Sequence, residues 1–201
     1  AKIWVDPKTN EAYVADGYKN KRVAVLDADT GKMKRYWGAY GNKPEDADLG
    51  KYDPNAALPK QFRNTVHCVE RSEDGLVYVC DRANNRVQVF KPDGSFVKEA
   101  FFAKDTLGSG AAWDLAFSRD AEQRYFFLAD GTNEKVRVVL RDTLEEVTNF
   151  GDGGRQPARG EVRRRRRPRV RAGDAGQEAR GRRRQGRRRR DRARDVRHRS
   201  E

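Results

Sequence analysis

The sequence predicts an all-β fold of about three repeated four-stranded units, followed by a disordered Arg-rich tail. Three observations predict it. One residue pattern recurs three times, each copy is flanked by further strand-and-turn signals, and the composition breaks sharply after Phe150. Residues 1–150 hold 23 Lys+Arg against 24 Asp+Glu, together with every aromatic, Leu and Ile. Residues 151–201 hold 21 Arg and no Lys against 7 Asp+Glu, a net +14, so the basic character of the chain, +13 in all, belongs to that stretch alone.

The recurring pattern is Tyr13-Val-Ala-Asp-Gly-Tyr-Lys-Asn-Lys-Arg-Val-Ala-Val, then Tyr78-Val-Cys-Asp-Arg-Ala-Asn-Asn-Arg-Val-Gln-Val, then Phe127-Leu-Ala-Asp-Gly-Thr-Asn-Glu-Lys-Val-Arg-Val. Each copy reads as a strand, a short polar turn and a second strand with alternating Val, which makes a hairpin. Asp16, Asp81 and Asp130 mark the same point in the three copies. A carboxylate there can accept turn N–H groups, so all three are expected to be structural turn residues.

Upstream, Lys2–Val5, Val66–Glu70 and Trp113–Phe117 each read as a strand entering a turn. Downstream, Lys32–Trp37, Ser95–Phe101 and Leu144–Phe150 follow Asp29-Thr-Gly, Pro92-Asp-Gly and Asp142-Thr turns. Four strands repeated at about 40–50 residues are the mark of a β-propeller blade. The predicted blades are about residues 1–40, 62–104 and 111–152, within a propeller segment 1–157. Gly41–Gln61, with Pro44, Pro54 and Pro59, is a loop insertion expected at the mouth. A sandwich of unrelated hairpins is the alternative, disfavoured because three places share one residue-level pattern. A ligand, a small molecule or a peptide, is expected where the inner strands converge on the axis.

No run is long and apolar enough to span a membrane. The chain opens on Ala1 against strand-like sequence, so its N-terminus is expected to be missing. Cys68 and Cys80 are too few for a disulfide framework, and in a regular hairpin they fall on opposite faces. Two small buried side chains are expected rather than a bridge.

The D-x-x-N-x-R-V/I-x-V/F signature, followed by a D-x-T-G or P-D-G turn and a strand ending in an aromatic and Gly, resembles the NHL repeat family of six-bladed propellers. Within that family the resemblance is strongest to the peptidyl-hydroxyglycine α-amidating lyases, which cleave a peptide ending in α-hydroxyglycine to an amide and glyoxylate. It covers about residues 5–157. It implies a catalytic tyrosine at Tyr18, in Val14-Ala-Asp-Gly-Tyr-Lys-Asn-Lys-Arg, and a catalytic arginine at Arg82, in Cys80-Asp-Arg-Ala-Asn-Asn-Arg. It also implies a zinc-binding histidine at His67, preceded by Gln61-Phe62. In such a site a tyrosine beside a cation serves as base and an arginine clamps the substrate carboxylate.

The same resemblance implies zinc, a structural calcium in the full-length family, and an extracellular or periplasmic setting. The family's zinc takes three histidines from three blades, whereas this chain has two histidines in all, His67 and His198. The blade-three position matching His67 is Trp113. The chain is therefore read as a propeller fragment inactive as a lyase, the alternatives being a non-catalytic binding scaffold for peptide, carbohydrate or protein, and a polyanion binder.

Residues 158–201 carry only three bulky apolar side chains, Val162, Val170 and Val196, too few to offset chain entropy. From Gly153 to Arg199 every residue type is one that a codon beginning with G or C can encode, which is the alphabet of GC-rich DNA read out of frame. The tail is thus read as a frameshifted translation. If expressed, its Arg163–Arg167 and Arg187–Arg190 clusters bind polyanions in a salt-sensitive, sequence-independent way.

Overall fold

The computed structural model describes residues 1–45 and 47–152, and the expectations for residues 158–201 lie outside them. Twelve strands form three separate four-stranded antiparallel sheets. Blade one holds β1 (Ile3–Asp6), β2 (Glu11–Asp16), β3 (Arg22–Asp27) and β4 (Met33–Trp37). Blade two holds β5 (Val66–Arg71), β6 (Val77–Asp81), β7 (Arg86–Phe90) and β8 (Phe96–Phe101). Blade three holds β9 (Asp114–Phe117), β10 (Tyr125–Asp130), β11 (Lys135–Leu140) and β12 (Glu146–Phe150). Each sheet runs in simple sequence order, as a propeller blade does.

The outer strands begin one or two residues later than the alternation predicts. Backbone bonds from Asp27 N to Lys32 O, Lys91 N to Ser95 O and Leu140 N to Glu145 O hold those residues in the preceding turns. All three outer strands then carry a register shift at the same place, opposite Val25/Leu26, Val89/Phe90 and Val138/Val139. A recurring bulge raises local twist, which stacked blades require.

Alternation along each strand sends one face to each neighbour. Tyr13, Val23, Val25 and Trp37 of blade one pack on Val66, Val69, Val77, Val79 and Phe90 of blade two. The other face of blade two, with Cys68, Tyr78, Cys80, Val87 and Val89, packs on Leu115, Phe126, Leu128 and Val139 of blade three. Blade two is thus covered on both sides, and every residue of β6 and β7 is buried. Ile3 and Val5, on the far face of blade one, and Phe127 and Phe150, on that of blade three, are exposed. Arg35 of β4 pairs in bidentate fashion with Glu11, at 2.7 and 2.6 Å, and donates from Nε to Pro92 O at 2.8 Å, tying blade one to a turn of blade two.

Candidate functional site

The three aspartates close the three β2–β3-type turns. Asp81 accepts from Arg63 N at 3.0 Å, Asn84 Nδ2 at 2.7 Å and Arg86 Nε at 2.7 Å. Asp130 accepts from Asn133 N at 3.1 Å and from Arg137 Nε and Nη2 at 2.9 and 2.7 Å. Asp16 accepts from Asn20 Nδ2 at 2.9 Å and Arg22 Nε at 2.8 Å. In blade three the position opposite the aspartate is Lys135, and the arginine comes from two residues further along. Arg86 is fully buried and also donates to Tyr40 OH and Gln61 O, so the Asp81 brace anchors both ends of the 41–61 loop.

His67 sits at an irregularity in β5. Val66 pairs with Asp81 and Cys68 with Cys80, which leaves His67 as an extra residue on its strand. The inner strands of blades one and three have no such shift. The bulge corrects the reading of the cysteines. In a regular register they would lie on opposite faces, but the extra residue brings Cys68 directly opposite Cys80, and the two form a disulfide with Cα atoms 4.8 Å apart.

The same bulge turns the imidazole toward blade three. His67 Nδ1 lies 2.6 Å from Trp113 O, and the two rings are 5.7 Å apart. A carbonyl only accepts, so Nδ1 carries the proton and Nε2 keeps the lone pair. Burial, with the positive charges of the N-terminal ammonium and then of Arg82 adding to it, holds the imidazole below its ordinary range and therefore neutral at pH 7. His67 O accepts from Lys2 N at 3.0 Å, and the Lys2 ammonium bridges Glu70 at 2.5 Å and Asp114 at 3.0 Å, joining the inner strands of all three blades.

Arg82 opens the short 3-10 turn Arg82–Asn84 and lays its guanidinium over the Trp113 ring, 4.9 Å from the centroid. Its Nε is buried and has no acceptor among the described residues. Gly110 fixes the floor: its φ is +74°, and a Cβ there would collide with Arg82 O. Tyr18 is 61% exposed on the corresponding turn of blade one. That turn is pressed against the start of β5, since a Cβ on Gly17 would collide with the backbone of Val66. His67 and Arg82 thus meet on Trp113, while the Tyr18 side chain stands free on the adjacent turn.

Among the described residues no group of three or more His, Cys, Asp or Glu is placed to hold a metal ion. The residues present do not fit the zinc that the resemblance implies, because only His67 of the two histidines lies in the blades. Trp113, which the sequence alignment sets against His67, is the platform shared by His67 and Arg82. Sequence reasoning also passed over Arg63 and Lys21, which line a cleft beside this mouth. Lys21 is one of three residues with left-handed φ that directly precede the third strand of a blade, the others being Asn85 and Glu134. A non-glycine residue repeatedly placed there is a signal that the repeat alignment contained.

The NHL repeat family matches residues 64–90, which is β5 to β7. Peptidyl-glycine alpha-amidating monooxygenase B of Xenopus laevis is 33% identical over 98 residues, covering 48% of this chain and 10% of that protein. The A form from the same organism is 32% identical over 98 residues, covering 48% of this chain and 9% of that protein. The chain thus spans about a tenth of the length of these relatives. Hydrazine synthase of Kuenenia stuttgartiensis matches with a TM-score of 0.51 over 75% of this chain and 35% of that chain, at 15% identity, a likeness of fold alone. No helix among the described residues is long and apolar enough to cross a membrane. The described residues therefore form three β-propeller-type blades, of which the second matches the NHL repeat, and they are weakly similar in sequence to the peptidyl-glycine alpha-amidating monooxygenases.

Proposed function

We propose that the propeller mouth binds the carboxylate end of a peptide, as the amidating-lyase resemblance implies, and that this chain holds that ligand without turning it over. The observation that carries the reading is Arg82, a guanidinium stacked on Trp113 with a buried Nε that lacks an acceptor among the described residues. A buried donor without a partner costs about 1–3 kcal/mol, which a ligand oxyanion at the mouth would relieve. The planar fork suits a carboxylate, and the indole beneath restricts its orientation. Neutral His67 offers Nε2 as an acceptor for a ligand hydroxyl, and the exposed Tyr18 offers a donor from the next turn.

Turnover by the implied route asks for a zinc ion held by three histidines, and one histidine does not supply it. The test uses the full 201-residue chain and a peptide ending in α-hydroxyglycine, with and without added zinc. Binding with no glyoxylate released above the uncatalysed rate is the expected result. Glyoxylate release that disappears in His67→Ala would overturn the non-catalytic part of the reading, and absence of binding would overturn the whole.

A further inference from the structure

Beside the His67–Arg82 mouth lies a second cleft of about 370 Å³, walled by the β2–β3 turn of blade one, the 41–61 loop and the residue after Arg82, Ala83. Among the described residues its charged lining is Lys21, Lys51 and Arg63 against one carboxylate, Asp48. Asp48 already accepts from Gly50 N at 2.9 Å. Arg63 spends Nε on Asn84 Oδ1 and Nη1 on Leu49 O and Gly50 O. Its Nη2 has no protein acceptor among the described residues, and its guanidinium lies 5.8 Å from the Tyr52 ring centroid.

Lys21 is the informative member. It is 8% exposed, has φ +52°, and donates to Ala47 O, which ties down the 41–61 loop. Asn85 occupies the equivalent turn position in blade two and ties down its own loop with a neutral amide, donating to Thr106 O at 2.8 Å and accepting from Ala111 N at 2.7 Å. A neutral side chain therefore suffices for the tie. The ammonium of Lys21 adds a buried charge with two further donors, and a buried cation calls for a counter-anion.

We propose that this cleft is an anion subsite, in which Lys21, Lys51 and Arg63 receive an acidic side chain of the peptide bound at the mouth. The inference rests on the peptide-binding reading and adds a substrate class, peptides with Asp or Glu upstream of the C-terminus. Asn64 and Ala83 line the cleft and stand next to Thr65 and Arg82, whose backbones bond to each other at 3.2 Å, so the cleft lies directly beside the mouth.

The test measures the affinity of the full chain for fluorescent peptides of one scaffold. They carry Glu or Gln at each of the positions two to four before the end, with a free or amidated C-terminus. For wild type the best Glu peptide is expected to bind roughly tenfold tighter than its Gln counterpart, the scale of a charge-assisted hydrogen bond. Lys51→Gln, a change at an exposed side chain, and Lys21→Met should each reduce that preference, and together bring it within about twofold of parity. Any attraction from the Arg residues beyond 152 is common to wild type and variants and cancels in the comparison. A Glu/Gln ratio near one in wild type, or one unchanged in the double variant, would overturn the subsite. A preserved Glu preference without dependence on the free C-terminus would support the subsite and count against the Arg82 reading instead.

Discussion

His67 Nδ1 and Trp113 O lie 2.6 Å apart across the contact between the inner strands of blades two and three. This bond fixes the imidazole tautomer and directs Nε2 away from the carbonyl. The expected outcome of a nitrogen-15 NMR titration is a neutral ring at pH 7 protonated on Nδ1, with a pKa below the ordinary 6.5. A ring protonated on Nε2, or one titrating above that value, would show that the bond is not made in solution.

Because the bulge at His67 places the two cysteines opposite each other, the disulfide and the histidine are coupled through one local register. Replacing both cysteines by Ala should lower stability by about 2–3 kcal/mol, the scale expected for closing a short loop. The thermal midpoint of the variant should then match that of the reduced wild type. Mass spectrometry of the untreated protein should find no free thiol.

The aspartate braces should rank by burial. The Asp81–Arg86 pair is completely buried and the other carboxylate near Arg86, Glu99, stands at 3.4 Å, so Asp81→Ala leaves a buried guanidinium weakly paired and should cost about 3–5 kcal/mol. Asp130→Ala should cost less, because Arg137 keeps Glu146 at 2.7 Å. The Asp16–Arg22 pair is 28% exposed on both sides, and Asp16→Ala should cost under about 1 kcal/mol. Denaturant midpoints of the three variants test the order.

Glu11 gives an acid dependence. Hydrogen bonds from Arg35, with support from Lys34 and Tyr13, hold its carboxyl at about 2 against an ordinary 4.5. The folded state therefore favours the ionised form, and the stabilisation is complete above about pH 4.5 and lost as the pH falls toward 2. The full shift corresponds to about 3 kcal/mol, and solvent around Lys34 and Arg35 reduces the expected loss to about 1–2 kcal/mol. Glu11→Gln should flatten that part of the stability profile against pH.

The blades were legible because their information is local. The alternation of Tyr13 to Asp16 and Arg22 to Asp27, with an Asp and Asn turn between, names a hairpin without reference to the rest of the chain. The disulfide was not legible, because one extra residue in β5 is a relation between strands that period-two counting does not contain. Trp113 read as a departure from the histidine pattern, and the packing makes it the surface on which His67 and Arg82 meet. The Lys21 cleft depends on where the 41–61 loop folds back, and nothing in that loop's composition fixes its path.

The most direct test of the account is the affinity of wild type and Arg82→Met for one peptide with a free C-terminal carboxylate and for its C-terminal amide. The account predicts that wild type prefers the carboxylate by at least about tenfold and that Arg82→Met removes the preference while leaving amide binding and thermal stability nearly unchanged. Equal affinity of wild type for the two peptides, or a preference that survives in Arg82→Met, would contradict it.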